Sequence, residues 1–270
     1  MISFVIGFSG DRIDNLNQTL RFLYRREQYL HDAEILLIAQ DSYNGLVSPF
    51  RDTRIINLNN QTYCRPKMLN IGAREARYEN LVLMDSDRIL PTNYFYRNLE
   101  DLGRKTVITT RRLFRLLAPY TDDEIESERI KSLIDFRSYR IIMGWKNLFS
   151  GNTMILRSDY LDTGGMDEEY EGYGYADNDM TMNVRHRGYN IIYRFEDEYH
   201  LYHEYQYVYR GKLVDPQLRI LLSAINMMRF CRRWGITPHF PLLRGVLESK
   251  YPYPTDLLAK FAEMKTIPFL

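Results

Sequence analysis

Two aspartates, Asp85 and Asp87, follow a short apolar stretch of the chain and are separated by a single serine. Residues 80–84 have the pattern of a buried strand, and the end of such a strand is where α/β proteins bind ligands. Two carboxylates at that place can bind a hard divalent cation together with a hydroxylated ligand. Alternatively, an aspartate pair after a strand caps a turn, and the pair alone leaves both interpretations open.

A glycine-rich segment carries more carboxylates, in the sequence Gly164-Gly-Met-Asp-Glu-Glu-Tyr-Glu-Gly-Tyr-Gly-Tyr-Ala-Asp-Asn-Asp179. Its glycines permit a ligand to approach the backbone closely, and its tyrosines and carboxylates lie within a few residues of one another. Asp177 and Asp179 also suit the first turn of a helix, where backbone N–H groups favour negative charge. The segment therefore predicts a ligand-binding loop, a helix start, or both together.

Two histidines, His200 and His203, follow a predicted strand that ends near Phe195. Imidazoles three residues apart can reach one metal ion from a turn or a helix. Alternatively, the histidines belong to the surface, and the alternating tyrosines between 199 and 209 pack along one amphipathic strand. The histidine pair by itself favours the surface interpretation.

These residues must be positioned by the elements around them, which alternate between strands and helices. Apolar stretches predict strands at 2–7, 34–39, 54–58, 80–84, 151–157 and 190–195, and helical spacing predicts helices at 16–24, 67–78, 177–187 and after 216. This alternation predicts an α/β fold with a doubly wound, mainly parallel sheet. In such a sheet the strand ends at 7–12, 40–42 and 85–88 converge on one ligand site.

The chain divides into a predicted α/β domain, residues 1–215, and a C-terminal helical appendage, residues 216–270. An acidic run followed by a mixed apolar and basic segment predicts an insertion or mobile flap at 111–147. Helical spacing of apolar residues supports the appendage, which has Leu218, Leu221, Leu222, Ile225 and Met228. Its contact with an acceptor, a membrane surface or another subunit stays open.

Composition excludes several classes of protein. The 36 basic and 35 acidic side chains of the 270 residues nearly cancel, which argues against a general nucleic-acid coat protein, and the arginine cluster at 111–115 has no nucleic-acid motif beside it. Two cysteines indicate neither a disulfide framework nor a cysteine-rich zinc site, so we expect a reducing compartment. The chain has no apolar run near the roughly 18 residues that a membrane span needs, and we expect a cytoplasmic protein.

The order of these motifs resembles the GT-A glycosyltransferases, and in particular the β-1,4-galactosyltransferase and chondroitin-polymerase-like enzymes of the family 2 and family 7 type. The resemblance covers roughly residues 3–203. Besides Asp85-Ser-Asp87, which is similar to the Asp-x-Asp motif, it rests on three stretches: Tyr63-Cys-Arg-Pro-Lys-Met-Leu-Asn-Ile-Gly72, Phe149-Ser-Gly-Asn152 and Gly172-Tyr-Gly-Tyr-Ala-Asp-Asn-Asp179. It implies the GT-A fold, which is Rossmann-like, and transfer of a sugar from a nucleotide-sugar donor.

The resemblance also implies roles for individual residues. Donor binding is expected of Gly7, Phe8, Ser9, Tyr63, Arg65, Asp85, Ser86 and Gly151. Asp177 falls on the catalytic base, and Tyr173, Tyr175 and Asn178 fall on an acceptor or sugar platform. Asp87 and His203, with His200 at a position where some members have another ligand, are expected to hold Mn²⁺ or Mg²⁺.

Departures from the family pattern bear on the donor. Tyr173 replaces the usual Trp, Ala176 replaces a Glu that commonly contacts the donor sugar, and Ser9 replaces a basic residue, for which Arg12 can substitute in charge. We expect a metal-dependent enzyme that transfers a sugar from a UDP-linked donor to a hydroxyl of a glycan or other acceptor. The transfer is expected to invert the configuration of the anomeric carbon. The alternatives are a retaining enzyme of the same fold and a catalytically silent module that binds a nucleotide sugar or carbohydrate.

Overall fold

A computed structural model gives the structure of the chain. It describes residues 1–41, 43–59, 62–116, 118–126, 139–141, 151–172, 174–204, 208–209, 212–213 and 216–265. Tyr173 and about half of the predicted insertion at 111–147 lie outside the described residues.

One large sheet forms the centre of the molecule. Its strands are β1 (Ile2–Phe8), β2 (Glu34–Ala39), β3 (Thr53–Asn57), β4 (Asn80–Asp85), β5 (Arg88–Ile89), β6 (Thr106–Arg115), β7 (Tyr139–Ile141), β8 (Asn152–Leu156) and β9 (Asn190–His200). Their order is β3-β2-β1-β4-β8-β6-β9-β5, with β7 beside β6. A separate hairpin pairs β10 (Val208–Tyr209) with β11 (Lys212–Leu213).

The direction of the strands confirms the predicted doubly wound sheet. β3, β2, β1 and β4 are parallel, and so are β6 and β9. β8 runs antiparallel to both β4 and β6, and β5 antiparallel to β9. Apolar patterning predicts that these strands exist but not which neighbours they pair with, so the antiparallel pairs were not part of the prediction.

Helices cover the sheet and extend beyond it. After a short 3₁₀ turn (Gly10–Arg12) they are α1 (Ile13–Arg26), α2 (Arg65–Glu75), α3 (Tyr94–Asn98), α4 (Asp122–Glu126), α5 (Arg157–Asp162), α6 (Ala176–His186), α7 (Pro216–Trp234), α8 (Phe240–Leu247) and α9 (Thr255–Lys265). The four predicted helices correspond to α1, α2, α6 and the α7–α9 segment. The helical C-terminal part is therefore confirmed.

Each face of the sheet has its own apolar core. Alternate residues of β1 point to opposite faces, so Phe4 packs with Leu16 of α1 on one face and Val5 packs with Leu69 of α2 on the other. A Cβ on Gly72 would lie 2.1 Å from Val5 Cγ1, so only glycine lets α2 lie this close to β1. This close packing holds the first residue of α2, Arg65, at the carboxyl end of the sheet.

Two findings bear on the predicted divisions of the chain. β6 continues to Arg115, so the first residues of the predicted insertion at 111–147 belong to the central sheet and not to a flap. No strand was predicted at 106–115. The far end of β6 continues to pair with β9 beyond a bulge between Thr110 and Arg112. Among the described residues, none of the helices is both long enough and apolar enough to cross a membrane.

Candidate active site

A cleft of about 430 Å³ opens at the carboxyl ends of β1 and β4. It has two sides of different chemistry. The charged wall comprises Arg12, Arg65, Asp85, Asp87, Arg88, His200 and His203, and the loop wall comprises Tyr170, Gly172, Gly174, Tyr175, Asn178 and Ser223. Asp177 lies where the two walls meet, because it contacts Arg65 of the charged wall and lies in the first turn of the helix that follows the loop.

Strand pairing brings the predicted metal ligands together. Arg88 of β5 pairs with His200 of β9, and the Leu201 amide donates to the Asp87 carbonyl at 2.9 Å. Asp87 Oδ2 consequently lies 3.5 Å from His200 Nε2 and 3.2 Å from His203 Nε2. All three ligand atoms lie within 4.8 Å of one another, which is close enough for one ion to contact them all.

The hydrogen bonds of the two imidazoles fit a bound cation. His200 Nδ1 lies 2.9 Å from the Leu201 carbonyl oxygen, and His203 Nδ1 lies 3.1 Å from that of Glu204. A carbonyl oxygen only accepts, so each Nδ1 carries a proton, and a ring that is neutral presents its Nε2 lone pair to Asp87. Two lone pairs and a carboxylate facing one another repel unless a cation or proton lies between them, and this nitrogen and oxygen set suits a divalent metal ion.

Arg65 joins the charged wall to Asp177. Its Nε donates to Asp85 Oδ1 at 2.6 Å, and its Nη1 donates to Asp177 Oδ1 at 2.7 Å. Charge-assisted hydrogen bonds of this length fix the two carboxylates relative to each other. One cation therefore orients both the first aspartate of the Asp-Ser-Asp motif and the predicted base.

The two carboxylates that share Arg65 differ in proton affinity. Burial favours the neutral acid at both positions, but the positive charges of Arg65 and Arg88 outweigh it at Asp85 and lower its pKa. At Asp177 burial dominates over the attraction of Arg65, and the nearby charge of Asp85 adds to it, so the pKa rises to about 6. A carboxylate with this pKa is ionised at neutral pH and can still accept a proton readily.

A buried arginine supports the Asp-Ser-Asp motif from behind. Arg88 donates from Nη2 to Asp85 Oδ2 at 3.1 Å, and its Nε lies 3.2 Å from Asp87 Oδ1. Glu198 of β9, which is 2% exposed, balances this charge with Oε1 at 3.8 Å from Arg88 Nη1. Neither Arg88 nor Glu198 is among the predicted site residues. Glu198 lies beyond the predicted strand at 190–195, in the acidic run Glu196-Asp197-Glu198, and nothing in that run indicates that one of its side chains is buried.

Gly151 lies behind this arginine and does not line the cleft. Its φ is +106°, and a Cβ there would lie 2.7 Å from Glu198 Oε1 and 3.1 Å from Arg88 Cζ. Its carbonyl oxygen accepts from the Asp85 amide at 2.7 Å. Glycine is thus required for close packing beneath Asp85, and the contact with a donor expected for Gly151 stays a prediction.

Arg12 contributes a further positive charge beside the end of β1. Its side chain is buried against Asp11 at 3.3 Å, yet its Nη1 is shielded from solvent and makes no hydrogen bond within the described part of the chain. Ser9, whose hydroxyl donates to Asp11, lines the same part of the cleft. A buried guanidinium nitrogen with no acceptor is costly, so this position favours an anionic ligand.

The loop wall ends in a strained residue followed by two aspartates with different surroundings. Tyr175 precedes α6 with φ +67°, which for a non-glycine residue costs on the order of 1–3 kcal/mol. Asp177 then faces the cleft, whereas Asp179 is buried and accepts from Trp234 Nε1 at 2.8 Å, Arg233 Nη1 at 2.7 Å and the Tyr170 hydroxyl at 3.2 Å. The helix start predicted from these carboxylates is confirmed, and Asp179 fastens α6 to α7.

The structure brings most predicted site residues into one cleft. They are Gly7, Phe8, Ser9, Tyr63, Arg65, Asp85, Ser86, Asp87, Tyr175, Asp177, Asn178, His200 and His203. Tyr173 lies outside the described residues, and Gly151 packs beneath the cleft. Nine described lining residues are additional to the predicted set: Arg12, Gln40, Pro66, Arg88, Tyr170, Gly172, Gly174, Ala176 and Ser223. Gln40 lies in a strand end that the fold pattern indicated, but Ser223 lies in the segment treated as an appendage.

Sequence comparison supports the motifs in the second half of the chain. Residues 131–204 match a family described as the N-terminal domain of galactosyltransferase. This stretch contains the glycine-rich loop, Asp177 and both histidines. A comparison with curated proteins gives no match.

Solved structures share the fold at low sequence identity. The S. aureus TarS fragment 1–349 aligns over 97% of this chain and 71% of its own, with TM-score 0.54 and 12% identity. GalNAc-T7 with UDP, GalNAc and Mn²⁺ aligns over 100% of this chain and 52% of its own, with TM-score 0.57 and 14% identity. The catalytic domain of Drosophila β1,4-galactosyltransferase 7, complexed with xylobiose, aligns over 71% of this chain and 63% of its own, with TM-score 0.48 and 17% identity.

Proposed function

We propose that this chain is a metal-dependent, inverting glycosyltransferase that uses a UDP-linked sugar. It has the GT-A glycosyltransferase fold, and its residues 131–204 match a galactosyltransferase family. The observation that carries this proposal is the placement of Asp177. Asp177 Oδ1 lies 2.7 Å from Arg65 Nη1. It lines the same cleft as the Asp87, His200 and His203 cluster, so a base and a site for a diphosphate-bound cation share one cleft.

The charged wall binds the donor in this proposal. Arg65 and Arg12 provide positive charge for the diphosphate, and the residues at the end of β1, Gly7, Phe8 and Ser9, contact the nucleotide. Tyr63 supplies an aromatic ring, and Asp85 and Ser86 contact the ribose or donor sugar. The neighbour TarS is known in complex with UDP and with UDP-GlcNAc, and GalNAc-T7 with UDP.

Asp87, His200 and His203 hold Mn²⁺ or Mg²⁺ in this proposal. When bound, the ion neutralises negative charge on the diphosphate as it leaves the sugar. The chain itself orients the three ligands, since the Leu201 and Glu204 carbonyls fix the imidazole rings and Arg88 fixes the carboxylate. The two nitrogen ligands favour Mn²⁺ over Mg²⁺, which prefers oxygen.

Asp177 acts as the general base. An Asp177 carboxylate oxygen takes the proton of an acceptor hydroxyl while that oxygen forms a bond to the anomeric carbon of the donor sugar. The bond from the anomeric carbon to the diphosphate oxygen breaks, and UDP leaves with the electron pair. Attack from the face opposite the leaving group inverts the anomeric configuration, and Asp177 later releases its proton to solvent. A base of this kind contributes about 10²–10⁴-fold to the rate.

The loop wall receives the acceptor. Tyr175 and Asn178 offer a ring face and an amide to a sugar, and Tyr173 is proposed to share this role. Ala176 leaves out a carboxylate that is common at this position, so the identity of the donor sugar is set by other groups.

The test combines turnover with stereochemistry. The purified protein is incubated with UDP-galactose, UDP-GlcNAc and UDP-GalNAc and a panel of glycosides, with Mn²⁺ and with chelator. We expect Mn²⁺-dependent UDP release, and NMR of the product from an α-linked donor should show a β-linkage. An α-linked product would instead identify a retaining enzyme, and binding of UDP-sugar without any turnover would identify a silent module.

A further inference from the structure

Helix α7 packs directly on the back of the glycine-rich loop. A Cβ on Gly172 would lie 3.2 Å from Leu222 Cδ1, and one on Gly174 would lie 3.2 Å from Ser223 Oγ. Both glycines have positive φ, +71° and +91°, so other residues are disfavoured there by conformation as well as by space. The loop is therefore shaped to lie against this helix.

Asn226 holds the loop in that position. Its Nδ2 donates to the carbonyl oxygens of Glu171 at 2.9 Å and Gly174 at 3.2 Å, and the residue is 3% exposed. Buried amide bonds to two carbonyls of one loop restrict its conformation. Phe230, one further turn along α7, packs its ring on Tyr175 at 5.7 Å. The loop that leads into Asp177 is thus fixed by the segment treated as an appendage.

Ser223 carries this helix into the cleft itself. It lies three residues before Asn226, and residues at this spacing share one face of a helix. The side chain is half-buried and lines the cleft beside Gly174 and Tyr175. Within the described residues its hydroxyl makes no hydrogen bond to the protein. A hydroxyl both donates and accepts, which matches the hydroxyls of a sugar.

We propose that α7 forms part of the acceptor site, with the Ser223 hydroxyl bonded to a neutral sugar acceptor and Asn226 positioning the loop beneath it. The proposal rests on the proposed glycosyltransferase function and extends it to the acceptor. Peptide groups of the loop, the Tyr175 ring, the Asn178 amide and the Ser223 hydroxyl suit an uncharged polyol. The guanidinium groups across the cleft suit the diphosphate, which leaves the loop wall to the acceptor.

The test compares Ser223→Ala and Ser223→Leu with the parent protein. Transfer from UDP-galactose and UDP-GlcNAc with Mn²⁺ is measured on xylobiose and on methyl β-glycosides of glucose, galactose and N-acetylglucosamine. Ser223→Ala should raise the acceptor KM about 2–10-fold, the worth of one neutral hydrogen bond, and leave the donor KM within about twofold. Ser223→Leu fills the cleft and should lower transfer at least about tenfold, while UDP affinity measured by calorimetry is retained. Arg232→Ala, exposed on the same helix, is the matched control and should match the parent.

The outcomes separate this inference from the function on which it rests. Unchanged acceptor KM in both Ser223 variants, or a change confined to the donor KM, would overturn the acceptor role of α7. A parent protein that binds UDP-sugar but uses none of the neutral glycosides would overturn it as well. A parent that neither binds UDP-sugar nor releases UDP contradicts the proposed function itself, and the inference falls with it. Thermal melting of each variant checks that it is folded.

Discussion

The charged wall and the loop wall of the cleft are built by different parts of the chain in different ways. The charged wall comes from strand ends and short loops, and its residues are held by ion pairs such as Arg65 with Asp85 and Arg88 with Asp87. The loop wall has few charges and is held by packing against α7 and by the amide of Asn226. The charged wall therefore depends on ion pairs within the fold, whereas the loop wall depends on packing against a helix far along the chain.

Asp177 stands between the walls, and its removal gives the largest expected effect. Asp177→Asn keeps the size of the side chain and removes its basicity, so sugar transfer should fall at least about a hundredfold. UDP affinity with Mn²⁺ should stay within a few-fold, because the charged wall is intact. Steady-state kinetics and calorimetry measure the two quantities. Asp162→Asn, whose side chain is 66% exposed, is the matched control and should behave like the parent.

Near-parental transfer by Asp177→Asn would place the base elsewhere and remove the inverting mechanism.

Removal of a metal ligand should impair the charged wall, measured as Mn²⁺-dependent UDP affinity, and leave the loop wall unchanged. Asp87→Ala or His203→Ala should abolish the increase in UDP affinity that Mn²⁺ gives to the parent. Each variant leaves only two ligand atoms, which are too few to hold the ion in place. Calorimetry with UDP, with Mn²⁺ or with chelator, tests this. His239→Ala changes an exposed histidine outside the cleft and should keep the Mn²⁺ dependence. Equal UDP affinity with Mn²⁺ and with chelator in the parent would contradict the metal assignment.

Asp177, at the junction between the walls, should also determine how the rate of sugar transfer depends on pH. Burial raises the pKa of Asp177 to about 6, so the base is ionised above that pH and protonated below it. Transfer should therefore fall about tenfold for each pH unit below 6 and level off above it. Protons also compete with a metal ion for the histidine nitrogens, so UDP affinity with Mn²⁺ is measured in parallel. A fall in transfer that only tracks UDP affinity would assign the profile to the metal site instead.

The smallest expected effect is on stability, and it concerns the attachment of the loop wall to α7. Asp179→Ala leaves the Trp234 N–H, the Arg233 guanidinium and the Tyr170 hydroxyl without their acceptor, which should cost about 2–4 kcal/mol of unfolding free energy. Urea unfolding measures the loss, and Asp162→Ala on the surface should cost far less. An unfolding free energy equal to that of the parent would mean that Asp179 does not fasten α6 to α7.

The charged wall could be predicted from sequence because its chemistry lies in local patterns. Asp85 and Asp87 end an apolar strand, and the fold pattern alone sends such strand ends to the ligand site. The pairing of Arg88 with Glu198 could not be predicted, because it depends on β5 lying antiparallel to β9. Strand partners are set by the whole sheet and leave no local signal.

Ser223 shows the same limit on the loop wall. Within α7 it is one small polar residue in an amphipathic pattern, and nothing in that pattern tells which neighbour the helix packs against. Gly172 and Gly174 are the nearest sequence signal, since two closely spaced glycines indicate a loop that approaches another part of the backbone. In the structure both have positive φ. They indicate close approach but do not identify the partner.

The guanidinium that Asp85 and Asp177 share also bears on the order in which substrates add. In the free protein Arg65 neutralises Asp177, and an acceptor hydroxyl would meet a base already engaged at 2.7 Å. A diphosphate beside Arg65 draws on the same positive charge and loosens its hold on Asp177. If the proposed donor binds there, we expect productive acceptor binding to follow donor binding, that is, ordered sequential kinetics. UDP should accordingly inhibit competitively against the nucleotide sugar and noncompetitively against the acceptor.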